Sequence, residues 1–383
     1  MDIGMKCQIG GDISKWAVLI ISPEPWRAHT VSKHHYAMML ARQGANVFFL
    51  DPPDESFDDV RINRIDGHER LHVVQGPKIK SGLRFYPAFV RRWVERAWLK
   101  DLEKKIGVSL SVIWLFENSR FFDMGFADER LKIYHQVDLN QNFNPKTAAI
   151  TADICFCTSD LIREKLLSYT PCVYKIHHGV VPAQNLQPLS TSQVQNFARA
   201  VPLAVYIGNL DMEYLDAPLL AETVKSFPDV QFHFVGGYTK GGKLWKAASA
   251  YSNVVWWGKL DSRLISPILE RADILLVTYE ERHWKDQSSP HKFMEYFASG
   301  KTVISTYTDE YKDKRHLLKM VDDSNDFIPA FEEVVNHLEE YNSPERQAER
   351  IAFAKENTYD RQLDRIFKLL KQHRLIAVDQ KEY

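Results

Sequence analysis

Lys292 and Glu295 lie in the segment HKFMEYFASG, which reads as a short helix over 291–299. A helix start offers free N–H groups, and a lysine there adds a full positive charge, a pairing suited to phosphate. A carboxylate such as Glu295 can accept from both hydroxyls of a diol at once. Taken alone, Glu295 reads as an ordinary solvated helix glutamate. The run GGYTKGG at 236–242 lacks the spacing of a Walker loop and of the dinucleotide fingerprint. It is either a phosphate cradle or a plain loop. No Asp-x-Asp triplet occurs, and no metal-ligand set is assigned. The doublets His34-His35 and His177-His178 lack a third ligand and read as structural.

These residues need a scaffold, and the chain alternates two kinds of segment. Short apolar runs end at Gly, Pro, Ser or Asp, and amphipathic stretches follow, the pattern of a parallel sheet covered by helices. Strands are expected at 16–22, 46–51, 112–116, 132–137, 153–158 and 173–176, with a helix over 30–43 stopped by Gly44 and another after the cap Ser159. The segment 182–198 is rich in Ser, Gln, Asn and Pro and reads as a linker. The same grammar then restarts, with strands at 203–207, 231–235, 253–257, 274–278 and 302–305 and helices between them. A helix covers 326–341, and a last helical stretch runs to about 375, interrupted near 357–358. A length of 383 residues suits two such cores.

Composition narrows the class. A net charge of −1 supplies no global field toward nucleic acid. The four cysteines show no framework spacing, and Cys155 and Cys157 read as core thiols of a reducing cytosol. No apolar run reaches the roughly 18–20 residues of a membrane span, and the N-terminal segment lacks a signal-type apolar core. A cytoplasmic location is expected.

Three segments in the second half carry a resemblance: GNLDMEYLDAPLLAETVKSFPDVQFHFVGG, NVVWWGKLDSRLISPILERADILLVTYE and SSPHKFMEYFASGKTVIST. In this order they resemble the nucleotide-binding domain of retaining GT-B glycosyltransferases of the group-1 (family 4) class. In the first half, ISPEPWRAHTVSKHHYAMMLARQGANVFFLDPP resembles members that build bacterial surface polysaccharides. YHQVD, ADICFCTSDLIREKL, KIHHGV and TYDRQLDRIFKLL match in the right order. The family carries two glutamates with seven residues between them. Glu295 matches the second, whereas Gln287 stands at the first. The resemblance implies two Rossmann-like, doubly wound α/β domains facing across a cleft, with a C-terminal helix crossing back to the first. The expected boundaries are 1–185, 186–356 and 357–383.

The resemblance also assigns roles. Glu295 is expected on the ribose diol of a UDP- or GDP-type sugar nucleotide. Gly208, Asn209, His291, Lys292 and Arg282 are candidates for the pyrophosphate, with Lys240 as an alternative source of charge. Many relatives place an Arg where Asn209 stands. Gly258, Lys259 and Leu260 resemble the base-contacting turn. Asp138 and Lys292 are the catalytic candidates, Asp138 toward the sugar and Lys292 toward the leaving group. Trp26, Arg27 and His29 fall on the acceptor or phosphate side. The implied reaction is a metal-independent, retaining hexosyl transfer without a protein nucleophile or bound cofactor, onto a polysaccharide, oligosaccharide or lipid-linked acceptor. The alternatives are a sugar-nucleotide epimerase of the same fold, or a degenerate subunit that partners another transferase.

One more segment stands out. Residues 78–105 hold nine Lys and Arg against three Asp and Glu. Phe89, Val90, Trp93, Val94, Ala97 and Trp98 form one helical stripe. The stripe belongs either to the domain core or to an anionic inner-leaflet surface, where each basic residue contributes about 1 kcal/mol.

Overall fold

The computed structural model describes the chain except residues 1–8, 28–29, 117–119, 140–144, 182–188, 191–192, 194–195, 198–200, 262–263, 286, 288 and 378–383. Most of the expected linker falls among the exceptions, as does His29. Two compact units form: Met1–His177 with Tyr359–Tyr383, and His178–Thr358.

In the first unit, β1 (Ala17–Ile21) is apolar throughout and fully buried, as a strand covered on both faces must be. It leads into α1 (Ser32–Arg42) and β2 (Asn46–Leu50). β3 (Arg61–Arg64) and β4 (Leu71–Gln75) form a hairpin not expected from the sequence, because Arg, Asn and His break their apolar runs. Then follow α2 (Ala88–Ile106), β5 (Val112–Leu115), β6 (Leu131–Gln136), the short α3 (Pro145–Thr151), β7 (Ile154–Cys157), α4 (Asp160–Leu167) and β8 (Val173–Lys175). The sheet runs β3-β4-β2-β1-β5-β6-β7-β8, parallel except at β3. Ser159 caps α4 by accepting from the Ile162 amide. Cys155 and Cys157 are buried free thiols. The terminal helix Tyr359–Gln372 belongs to this unit and buries Tyr359, Leu363, Ile366 and Leu370. Tyr359 stacks on His35, and Phe367 meets Trp16 edge-on.

The second unit holds β9 (Leu203–Ile207), α5 (Ala217–Ser226), β10 (Gln231–Val235), α6 (Lys243–Ala248), β11 (Val254–Gly258), α7 (Ile265–Arg271), β12 (Ile274–Val277), α8 (Lys292–Ser299), β13 (Thr302–Ser305), β14 (Lys319–Met320), α9 (Phe327–Asn336), α10 (Leu338–Tyr341) and α11 (Pro344–Glu356). The all-parallel sheet runs β11-β10-β9-β12-β13-β14. The helix expected over 326–341 is two pieces divided at His337. Arg350 of α11 is buried and donates to the carbonyls of Gly300, Leu317 and Tyr341, tying the end of α8 to the loop before β14.

The stripe of α2 divides, with Val90, Val94 and Trp98 half-buried, Trp98 against the core, and Phe89, Trp93 and Ala97 exposed. Arg91, Glu95, Leu99 and Leu102 face inward, while Phe89 and Trp93 stand 75% and 67% exposed. Buried Asp123 is the cause. It accepts from Arg91 at 2.6 Å and from Arg92 at 2.7 Å, which turns the aromatic side outward.

Three strands of the second sheet end in glycines with positive φ: Gly208, Gly236 and Gly258. The Gly236 amide donates to Gly258 O and the Gly208 amide to Val235 O, so the strand ends lie against one another. A Cβ on Gly236 would stand 1.8 Å from Gly208 O, at a φ of +140° that other residues avoid. Gly237 has open space around its Cβ position. Gly236→Ala is therefore expected to cost about 3 kcal/mol or more by strain and overpacking. Gly237→Ala should cost little. Urea unfolding of both variants checks this, and equal losses would contradict it.

Candidate active site

The winding of the second sheet reverses between β9 and β12, and a parallel sheet binds ligands outside the carboxyl ends of its strands at such a point. β9 and β12 register at two positions only, Ala204 with Ile274 and Val205 with Leu275. Beyond them the Tyr296 hydroxyl takes over. It accepts from the Ile207 amide at 2.9 Å and donates to Leu276 O at 3.4 Å.

Lys292 opens α8 over this point. Its Nζ lies 3.9 Å from the ring centroid of Tyr206 and 5.6 Å from that of Tyr279. A Cβ on Gly208 would stand 3.0 Å from that Nζ, so glycine leaves the amine its place. Burial pushes the Lys292 amine down to about 7, against the attraction of Glu295. The ring face of Tyr206 also favours the cation. Both tyrosine hydroxyls are pushed well above their ordinary range by burial and stay neutral. Glu295 sits three residues along α8, on the face of Lys292. It is half-buried, and no described residue donates a hydrogen bond to it.

The other donor-side candidates divide. Gly208 and Gly258 belong to the glycine ridge. Leu260 packs against the core beneath β9 and β12, and Lys259 is exposed. Asn209 is exposed and accepts from the Asp211 amide, which fixes a turn. His291 precedes α8, with its ring 5.2 Å from that of His178, and burial lowers its pKa. Arg282 is exposed and already paired with Glu280 at 2.6 Å and Glu213 at 3.8 Å. Lys240 is exposed in the loop before α6. The Gln287 amide donates to His283 O. Tyr206, Tyr279 and Tyr296 escaped the sequence reading. Two of them stand at or beside strand ends and the third follows Glu295, a pattern that apolar scoring reads as core.

The first unit has its own reversal point between β1 and β5. The Trp26 amide donates to Asp51 Oδ1 at 2.8 Å, and its ring packs on His34 and Phe49. Arg27 is exposed. His29 lies outside the described residues. Lys33, in the first turn of α1, is 3% exposed at its side chain and pairs with Glu24. The sequence signal for Lys33 was its place on the buried stripe of Tyr36 and Ala37. Asp138 follows β6 and is exposed, at a crowded position. Burial pushes its carboxyl up, and Lys33 works against that push. His135, boxed by Tyr36, Trp114 and Phe116, is held at about 3 by burial and stays neutral.

The run His68-Glu69-Arg70-Leu71-His72 has the spelling of a zinc-protease helix. It spans a turn and the first residues of β4, so the helical spacing that unites two imidazoles does not arise. No group of three or more potential metal ligands gathers among the described residues.

Residues 201–337 match the family described as Glycosyl transferases group 1. A Bacillus subtilis (strain 168) protein, TuaH, is a proposed teichuronic acid biosynthesis glycosyltransferase. It is 27% identical over 203 residues, 48% of this chain, and the match spans about half of that relative, 49%. Among solved structures, Anabaena HepE in complex with UDP superposes with a TM-score of 0.68 at 12% identity, covering 93% of this chain and 100% of that one. WaaG, a glycosyltransferase involved in lipopolysaccharide biosynthesis, gives 0.63 at 11% identity, covering 92% and 99%. At these identities the structures speak for the fold. Residues 201–337 are thus a group-1 glycosyltransferase domain, carried in a chain of the GT-B fold with two Rossmann-like units.

Proposed function

We propose that the protein transfers a hexose-type sugar from a nucleoside-diphosphate sugar to a carbohydrate or lipid-linked acceptor, with retention and without a metal. The observation that carries this is Lys292, a desolvated amine laid on Tyr206 beside Gly208, with the open carboxylate of Glu295 one turn further on. As the glycosidic bond to the diphosphate breaks, charge grows on the leaving oxygen. A cation already placed there stabilises the transition state more than the ground state. The pyrophosphate would also raise the Lys292 pKa and keep the amine charged. Glu295 takes the ribose diol, Gly258, Lys259 and Leu260 frame the base, and Asp138 of the first unit is assigned to the sugar. The acceptor attacks from the leaving-group side, so no protein nucleophile is assigned. Relatives named for teichuronic acid and lipopolysaccharide biosynthesis support a cell-envelope polymer as the product.

A thermal shift series with UDP, GDP, ADP, CMP and dTDP, each with and without Mg²⁺, tests the donor. One uridine or guanosine diphosphate is expected to stabilise the fold without metal. At 100 times its dissociation constant the gain is about 2.7 kcal/mol. Glu295→Ala should remove at least half of the shift and leave the unliganded fold intact. If none of the five stabilises the protein, Gln287 and Asn209 become the informative residues, and a degenerate partner subunit replaces the enzyme.

The outward aromatics of α2 among basic residues favour docking at the anionic face of the cytoplasmic membrane. No described helix is long and apolar enough to cross one. The protein is expected to sediment with phosphatidylglycerol vesicles at low salt, and Phe89→Ser with Trp93→Ser to weaken this about tenfold. Equal binding to phosphatidylcholine, or none to either, contradicts the docking.

A further inference from the structure

Lys292 brings one positive charge to the end of β9, whereas a diphosphate carries more than one negative charge. Arg282 is spent on Glu280 and Glu213, and Asn209 turns its side-chain oxygen to the Asp211 amide. The remaining charge calls for a neutral donor beside the amine, and Tyr206 is placed to be one.

Tyr206 stands two residues before Gly208, and residues so spaced leave a strand on the same face. Its phenol therefore runs along the bare side of Gly208. A Cβ on Gly208 would stand 3.3 Å from Tyr206 Oη and 3.0 Å from Lys292 Nζ. Hydroxyl and amine thus border one space, which glycine leaves to an incoming oxygen. The ring is packed away, with Tyr206 1% exposed and part of the core on one face of the second sheet. The hydroxyl, however, is neither hydrogen-bonded to a described residue nor sealed from solvent. Tyr296, by contrast, spends its hydroxyl between Ile207 and Leu276. The Tyr311 hydroxyl lacks a partner but is fully enclosed. Tyr279 stands farther from the amine, with its ring centroid at 5.6 Å. A packed tyrosine ordinarily finds a partner for its hydroxyl, so one left open beside a desolvated amine points to an acceptor that arrives with a ligand. Burial holds this phenol well above its ordinary range, so it keeps a proton to donate.

We infer that the Tyr206 hydroxyl donates a hydrogen bond to the sugar-bearing phosphate of the nucleotide donor, beside Lys292. The inference rests on the transferase reading. The proton stays on the tyrosine, and no covalent bond to it is made or broken. Ring and hydroxyl act separately, the ring face carrying Lys292 and the hydroxyl meeting the ligand.

Tyr206→Phe separates the two, because it keeps the ring and removes only the hydroxyl. Titration calorimetry of the full chain with UDP and UMP, and with GDP and GMP, tests the inference. The unaltered chain is expected to bind one diphosphate more tightly than its monophosphate. Tyr206→Phe should lose about tenfold of the diphosphate affinity and keep the monophosphate affinity. Its thermal midpoint without ligand should not fall, since the hydroxyl holds no protein group. A lowered midpoint with the diphosphate preference intact would make Tyr206 a core residue only and overturn the inference. So would diphosphate binding indifferent to the variant, or an unaltered chain that does not distinguish diphosphate from monophosphate. If the unaltered chain binds neither diphosphate, the transferase reading itself fails and takes this inference with it.

Discussion

Lys292 lies on the face of Tyr206 beside a residue 208 that has no side chain, where a Cβ would stand 3.0 Å from its amine. The geometry around it follows from that placement. Gly208 O in turn fills the space where a Cβ of Gly236 would be, and the Gly236 amide bonds to Gly258 O. Backbone rather than side chain therefore forms the ridge at the carboxyl ends of β9, β10 and β11. Tyr296 holds β9 and β12 together where their ladder stops, so the crevice stays open without two unpaired backbone groups. Taking an ammonium out of water is costly, and its lowered pKa records that cost. An anionic ligand relieves it.

The first unit solves a similar problem differently. Lys33 is more deeply buried than Lys292 but is neutralised in place by Glu24. Asp51 is desolvated yet accepts from the Trp26 amide and the Gln75 side chain, and it so tethers the loop after β1 to the end of β2. These are closed arrangements, with each charge answered by the protein. Lys292 and Glu295 are open ones, and open polar groups within a packed chain mark the places where a partner is to be sought.

Much of the fold was legible because buried parallel strands are continuous apolar runs, as at Ala17–Ile21 and Ile274–Val277. The edge strand Arg61–Arg64 was not, since it is exposed to water and carries no such run, and in the buried Leu71–Gln75 beside it His72 breaks the run. The face of α2 stayed open between the core and a membrane surface for a related reason. Periodicity groups Phe89 and Trp93 with Trp98 on one stripe, but it does not see that Asp123, some thirty residues away in the chain, draws Arg91 inward. Lys292 and Glu295 were recognisable from their helix and the family pattern. The tyrosine floor was not, because a buried tyrosine looks like core until its hydroxyl partner is known.

The account turns on Lys292 receiving the diphosphate, and proton uptake tests that most directly. With its pKa near 7 in the free protein, the amine is mostly neutral at pH 8 and fully charged well below 7. Binding a diphosphate raises that pKa, so a proton must be taken up at pH 8, and little or none at pH 6. UDP-binding calorimetry at pH 8, in buffers of different ionisation enthalpy, should show uptake approaching one proton per site. That uptake should vanish in Lys292→Met. Binding without proton uptake at pH 8, or uptake unchanged in the variant, would contradict the placement of Lys292 at the leaving group.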